Sequence, residues 1–391
     1  MSTERSRLLS WRHPAVVATR LTRPAAAAVG AISLTAALLV AAVPAVDAAG
    51  PPGQADRSGA PRLVARAGER MVSYPGLAVA WPAPQVSVSS AHAVRGLVSA
   101  PGVGATATLQ RLVVGVWTDV ISTPVAPSGS FMLPLPSFYF GHFSYRLRIT
   151  AAGVDPVETP ALPVAVVPTY RPAGRDTSYA LISPSPVGRW DPCTPIGYRV
   201  NLAEARQGAL RDVQSALARI AVATGLQFRY LGTTDVVPFA GDDPFDPSVA
   251  DLVVAWTDPA SVPGLFQPGN YALGGPEMRP GHDIAGGPVR QIYQGGVTFN
   301  SAFNAALKPG SGKGYTRVAA LMHELGHAVG LFHVTGDGAE IMSPSLARDR
   351  DQWGAGDLAG LEAVGAVNGC VTADSPARGN GSDAQALPTR D

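Results

Sequence analysis

The sequence predicts two folded parts in one chain, an all-β sandwich followed by a larger α+β region, and three observations carry that prediction. From Leu77 to Pro168, short alternating runs are separated by turn residues, with no helical periodicity between them. From Asp176 onward, strand-like runs are interleaved with amphipathic stretches long enough for helices. Gly (43) and Pro (36) are frequent while aromatics stay at 7%, which favours short strands and many turns over long helices.

The chain opens with Arg5, Arg7, Arg12, Arg20 and Arg23, then an Ala/Leu/Val run from Ala25 to Val43 and the small-residue stretch Val46-Asp47-Ala48. This is the layout of a signal peptide over residues 1–48, with cleavage after Ala48 or Ala49. The rival reading is an uncleaved membrane anchor, because about 20 apolar residues suffice to span a bilayer. Alanine richness and the small residues at the end favour cleavage, and the lack of a twin-arginine pair favours the general export route. No later segment is long and apolar enough to cross a bilayer, so the mature chain is expected to be secreted, with no stable span.

Residues 49–76 are polar and rich in Gly and Pro, and read as a flexible lead-in or propeptide. The sandwich is expected over 77–168. Its clearest strand is Tyr145-Arg146-Leu147-Arg148-Ile149, apolar on one face and charged on the other. Further strands are expected at Ala93–Val98, Ala105–Leu112, Trp117–Ser122 and Ser130–Leu133, broken by Pro101-Gly102 and Ser128-Gly129. The pattern resembles the immunoglobulin-like modules attached to bacterial exported proteins, which act as spacers or bind a surface ligand.

Residues 169–175 read as a linker, and 176–370 as the second region. Tyr198-Arg199-Val200-Asn201 reads as its first strand, and Glu204 to Thr224 as a helix with Leu210, Val213, Leu217 and Ile220 along one stripe and Gly225 as its stop. Strands are expected at Gln227–Leu231, Leu252–Trp256 and Gly296–Asn300, a helix from about Tyr315, and a last helix over Asp357–Val367. Residues 371–391 lack apolar periodicity and read as a disordered tail.

Chemistry concentrates in His323-Glu324-Leu325-Gly326-His327-Ala328-Val329-Gly330-Leu331-Phe332-His333. On a helix His323 and His327 lie one turn apart on one face, so both can direct a ring nitrogen at one ion about 2 Å away. Glu324 is rotated about 100° from His323 and should reach a metal-bound water, the place of a general base. Gly330 can end the helix with positive φ and let His333 return as third ligand. Three ligands leave a fourth position open, as catalytic rather than structural zinc needs.

Ile341-Met342-Ser343-Pro344 follows shortly after His333. With this second element the sequence resembles the metzincin clan of zinc endopeptidases, whose zinc motif is followed by a tight turn bearing a methionine beneath the metal. The resemblance makes Met342 the floor of the site and not a ligand. Within the clan the short connection from His333 to Met342 is most similar to the matrixins, including their bacterial secreted members. Val334 departs from the Ser that matrixins usually carry after the third histidine. Outside the motif the mature chain offers only His92, His142 and His282, too few for the second, structural zinc of animal matrixins, so one zinc ion is expected. The matrixin cysteine-switch motif is missing. The resemblance implies cleavage of a protein or peptide substrate that pairs with a sheet edge near Asn270 to Gly275.

Cys193 and Cys370, the only cysteines, sit near the two ends of the second region and invite a disulfide in an oxidising compartment, worth on the order of 4 kcal/mol in the chain-entropy model. The rival reading is that Cys193 caps the zinc in a latent form. Asp242, Asp243 and Asp246, with Asp251 beyond, form an acidic loop that fits either calcium or an ordinary exposed turn. Net charge of +1 with 15% charged residues marks no nucleic-acid binder. Against the hydrolase stands an exported surface-binding protein whose protease region is degenerate.

Overall fold

The computed structural model describes residues 62–241, 248–267, 270–336, 338–346 and 348–374, and the backbone of 385–386 and 389–390. The expected signal peptide, the first part of the lead-in and Asp242, Asp243 and Asp246 lie outside the described residues.

The first part is built from β1 (Arg70–Tyr74), β2 (Leu77–Trp81), β3 (Gln85–Ser87), β4 (His92–Val98), β5 (Thr106–Val113), β6 (Val116–Pro124), β7 (Ser130–Leu135), β8 (Gly141–Ala151), β9 (Val154–Glu158) and β10 (Leu162–Val167). One sheet runs β1-β2-β4-β7, the other β3-β10-β8-β5-β6, with β9 on β8. Val79, Val94 and Leu133 of the first sheet and Leu109, Tyr145 and Leu147 of the second share one core, so the sheets face each other. β8 alternates as its sequence predicts. Phe143, Tyr145, Leu147 and Ile149 point inward. Arg146 points outward, where it pairs with Glu158 at 2.6 and 2.9 Å and lies 4.4 Å over the Trp117 ring.

The lead-in reading extends too far. Residues 70–74 form β1, because Pro75-Gly76 makes a tight turn, with Gly76 at φ 71°, that folds this segment onto β2. The expected linker is also tied down: the Ala173 carbonyl accepts from the Ala355 amide at 2.7 Å, and the Tyr170 hydroxyl donates to the Trp353 carbonyl at 3.1 Å.

The second part contains β11 (Ala180–Leu181), β12 (Gly188–Trp190), β13 (Ile196–Val200), α1 (Ala209–Thr224), β14 (Phe228–Thr233), β15 (Leu252–Thr257), β16 (Ala272–Asp283), β17 (Pro288–Asn300), α2 (Ser301–Ala306), α3 (Arg317–Ala328), β18 (Leu331–Phe332), α4 (Ala355–Val364), β19 (Val371–Ala373), β20 (Gln385–Ala386) and β21 (Thr389–Arg390). The main sheet has the order β14-β13-β15-β17-β16. Its first four strands are parallel and β16 is antiparallel to β17. Because β15 is buried along its whole length, it reads as the continuous apolar run Leu-Val-Val-Ala-Trp.

α1 begins at Ala209 and not at Glu204, since Gly208 at φ 84° turns the chain just before it; Gly225 at φ 77° ends it. α1 and α3 bury their apolar faces in one core with this sheet. Where composition predicts disorder from 371 onward, β19, β20 and β21 all pair with the outer edge of β16. No helix among the described residues is long and apolar enough to cross a membrane. The sandwich and the second part belong to one compact unit.

Candidate metal centre

The Thr316 hydroxyl opens α3 by accepting from the Ala319 amide at 3.3 Å, and the helix is buried along its full length. His323 and His327 therefore sit in low-dielectric surroundings, with His327 fully buried. After the helix, Gly330 takes φ 111°, a conformation that favours glycine, and the chain reverses into β18. β18 is braced by β11, with Ala180 opposite Phe332 and Leu181 opposite Leu331. That bracing delivers His333 back to the helix.

The three rings converge. His333 Nε2 lies 3.0 Å from His323 Nε2 and 3.1 Å from His327 Nε2. The far side of each helical ring is fixed: His323 Nδ1 is 2.7 Å from the Ile341 carbonyl and His327 Nδ1 is 2.9 Å from the Leu331 carbonyl. A carbonyl only accepts, so both Nδ1 atoms donate, and in neutral rings both Nε2 atoms then present lone pairs. His333 Nε2 can donate to one of them at most. A small cation with bonds of about 2.0–2.1 Å to nitrogen satisfies all three, and backbone carbonyls on Nδ1 are the usual outer partners of such ligands.

Met342 lies beneath the helix. A Cβ on Gly326 would fall 2.5 Å from its sulfur, so glycine at 326 is what lets the methionine approach. The Met342 carbonyl accepts from the Val334 amide at 3.0 Å, joining this turn to the segment that carries His333. Two buried carboxylates hold the turn from below. Asp357 accepts from the amides of Ile341 (2.6 Å), Met342 (3.1 Å) and Gly354 (2.9 Å), while Glu340 accepts from those of Gly356 (3.2 Å) and Asp357 (2.9 Å). Burial raises the Asp357 carboxyl above the ordinary carboxylate range, against the pull of those amides. Sequence reasoning assigned no role to Gly326, Glu340 or Asp357 here; an acidic residue just before the Met turn was a readable signal.

Glu324 is buried and lines, with His323, a cavity of about 390 Å³. Tyr271 and Phe303 stack at 4.3 Å on its wall, and α2 is fixed there by the Asn300 side chain, which accepts from the amides of Ala302 and Phe303. The lining is mainly apolar with the two helix groups on one side, the make-up of a small-ligand or side-chain pocket.

The Cys193–Cys370 disulfide is present, with Cα atoms 5.4 Å apart, and uses both cysteines of the chain. No thiol remains to cap the histidines. His142 faces Glu362 at 3.0 Å and His282 faces Asp374 at 2.6 Å, so neither joins the triad. Asp251, the one described member of the acidic set, accepts from the Gly197 amide at 2.7 Å between β13 and β15. That is a structural bond.

No family model matches the chain and no curated protein is similar to it. Among solved structures, the chain is similar at 11% identity to a "putative glycoside hydrolase from Bacteroides vulgatus ATCC 8482", over 56% of this chain and 37% of that one, with a TM-score of 0.17. The chain thus spans little more than a third of that protein's length, and a likeness of this size carries no argument about fold or activity.

Proposed function

We propose that this chain is an exported, metzincin-like zinc endopeptidase. The observation that carries the reading is the convergence of the His323, His327 and His333 Nε2 atoms, with the two helical rings held in the ligating tautomer, beside a cavity that Glu324 lines. Zinc held by these histidines would supply a Lewis acid and lower the pKa of a bound water towards neutrality. Glu324 takes the proton as water oxygen bonds to the peptide carbonyl carbon, then delivers it to the amide nitrogen as the C–N bond breaks. Burial of the Glu324 carboxylate keeps bulk water away from that transfer. The apolar cavity takes one substrate side chain, and Tyr271 and Phe303 select a large apolar one. The substrate backbone lies extended along β16, whose first residue, Ala272, lines the same cavity. The sandwich serves as a spacer or surface-binding module.

Casein or peptide cleavage that is lost with a chelator and restored by zinc is the expected result. Glu324→Ala should lower kcat by about 10²–10⁴-fold with zinc per chain unchanged, since it removes a base and no ligand. Turnover near the parent rate in that variant would refute the role. A chain that binds zinc yet cleaves nothing would leave the surface-binding alternative.

A further inference from the structure

The outer edge of β16 is already paired. Near its C-terminal end β19 lies antiparallel to it, with Gly281 opposite Ala373 and Asp283 opposite Val371. Further along, Met278 and Glu277 pair with Gln385 and Ala386, and Gly274 and Leu273 with Thr389 and Arg390. Going from Met278 to Gly274 moves four residues back along β16, and going from Gln385 to Thr389 moves four residues on, so β20 and β21 follow a single antiparallel register. The two short strands thus read the edge in one common register.

This stretch of edge adjoins the histidine helix. A Cβ built on Gly274 would fall 2.4 Å from the Glu324 carbonyl oxygen, so β16 and α3 touch backbone to backbone at the residue that Thr389 pairs with. Leu273, opposite Arg390, is followed back along the strand by Ala272, which shares a cavity with His323 and Glu324. An extended peptide reaching that cavity by strand addition needs the backbone groups of Leu273 to Met278. Four of those residues, Leu273, Gly274, Glu277 and Met278, already pair with Arg390, Thr389, Ala386 and Gln385.

We propose that the segment Gln385–Arg390 occupies in cis the β16 edge that receives extended peptides, so that it and a peptide substrate compete for one site. The competition rests on the endopeptidase reading; the occupancy of the edge does not. Eleven residues, 374–384, separate this segment from β19. A short tether holds a segment at roughly mM effective concentration, so even an intrinsic affinity of about 0.1 mM keeps the edge about 90% filled and raises the apparent KM about tenfold.

The test severs the segment after folding, in the full chain, at a recognition sequence for a specific protease placed within 375–384. Three readouts follow: amide hydrogen exchange at 273–278, binding of a fluorescent peptide spanning residues 384–391, and KM against kcat for a peptide substrate. Severing followed by dialysis should speed exchange at those amides, open a site for the labelled peptide, and lower KM about tenfold with kcat unchanged. Unlabelled peptide should restore both the protection and the higher KM. Unchanged exchange with no peptide binding overturns the proposal, as does faster exchange with an unchanged KM. Peptide bound only by the severed chain, with no hydrolysis by either form, supports the edge assignment and refutes the endopeptidase reading instead.

Discussion

Ile341 links the acidic residues to the histidines: its amide donates to Asp357 while its carbonyl accepts from His323 Nδ1. One residue, through the peptide groups on its two sides, thus links the position of a buried carboxylate to a ring of the proposed metal site. Asp357→Ala would leave three buried amides without that acceptor, at about 1–3 kcal/mol each, and loosen the carbonyl that orients His323. The expected outcome is a fall in melting temperature together with a 10–100-fold loss of zinc affinity, the scale typical of outer partners, measured by chelator competition. Asp357→Asn keeps one carbonyl acceptor, so it should lose less on both counts. Equal zinc affinity in the parent and the alanine variant would show that the turn is held by packing alone. His327→Ala, by contrast, should release the metal outright, since this fully buried ring is itself a proposed ligand.

At the scale of elements, α3 is locked to α1 by Arg317 and Asp212, which pair at 2.6 Å with both side chains buried; Asp212 also accepts from the Gly310 amide at 3.1 Å and Arg317 donates to the Gln207 carbonyl at 3.0 Å. Asp212→Ala would strand a buried guanidinium, and a loss of about 3–5 kcal/mol in denaturant unfolding is expected. A loss under about 1 kcal/mol would mean that water reaches the pair. α3 was legible in sequence because ligand spacing and helical period coincide in it, and β15 because a strand buried on both faces is apolar throughout. β16 was not legible as a whole strand. Ala-Leu-Gly-Gly-Pro-Glu-Met-Arg-Pro-Gly-His-Asp has the glycines and prolines of a loop, yet Gly274 is required by the approach to Glu324, and β17 supplies the pairing that its own propensity lacks. β1 was hidden similarly, a strand made by its hairpin partner. The His333 return was readable from Gly330, whereas the cavity wall from Tyr271 and Phe303 joins residues that only the fold brings together.

For the whole molecule, the two parts meet over side chains that neither could leave exposed without cost. The Tyr139 ring packs at Gly225, where a Cβ would come within 3.0 Å of it, and Ala366 and Val367 of the second part pack on the sandwich core. Phe140 packs in return on the core of the second part, and its amide donates to the Val222 carbonyl at 2.9 Å. Glu362 accepts from the His142 amide at 2.8 Å. Contacts of this kind couple the parts, so calorimetry should show one unfolding transition and not two. The disulfide tests that coupling. It closes a loop of 177 residues wholly within the second part, and replacing both Cys193 and Cys370 with Ser should cost about 5 kcal/mol by the chain-entropy model. For one transition over roughly 300 residues, at about 2.1 cal/mol/K per residue, that lowers the melting temperature by roughly 8 °C. If the parts are coupled, near-ultraviolet signals from Trp81 and Trp117 in the sandwich should shift together with those of the second part. A sandwich transition that stays in place while the second part melts early would show that the two unfold independently.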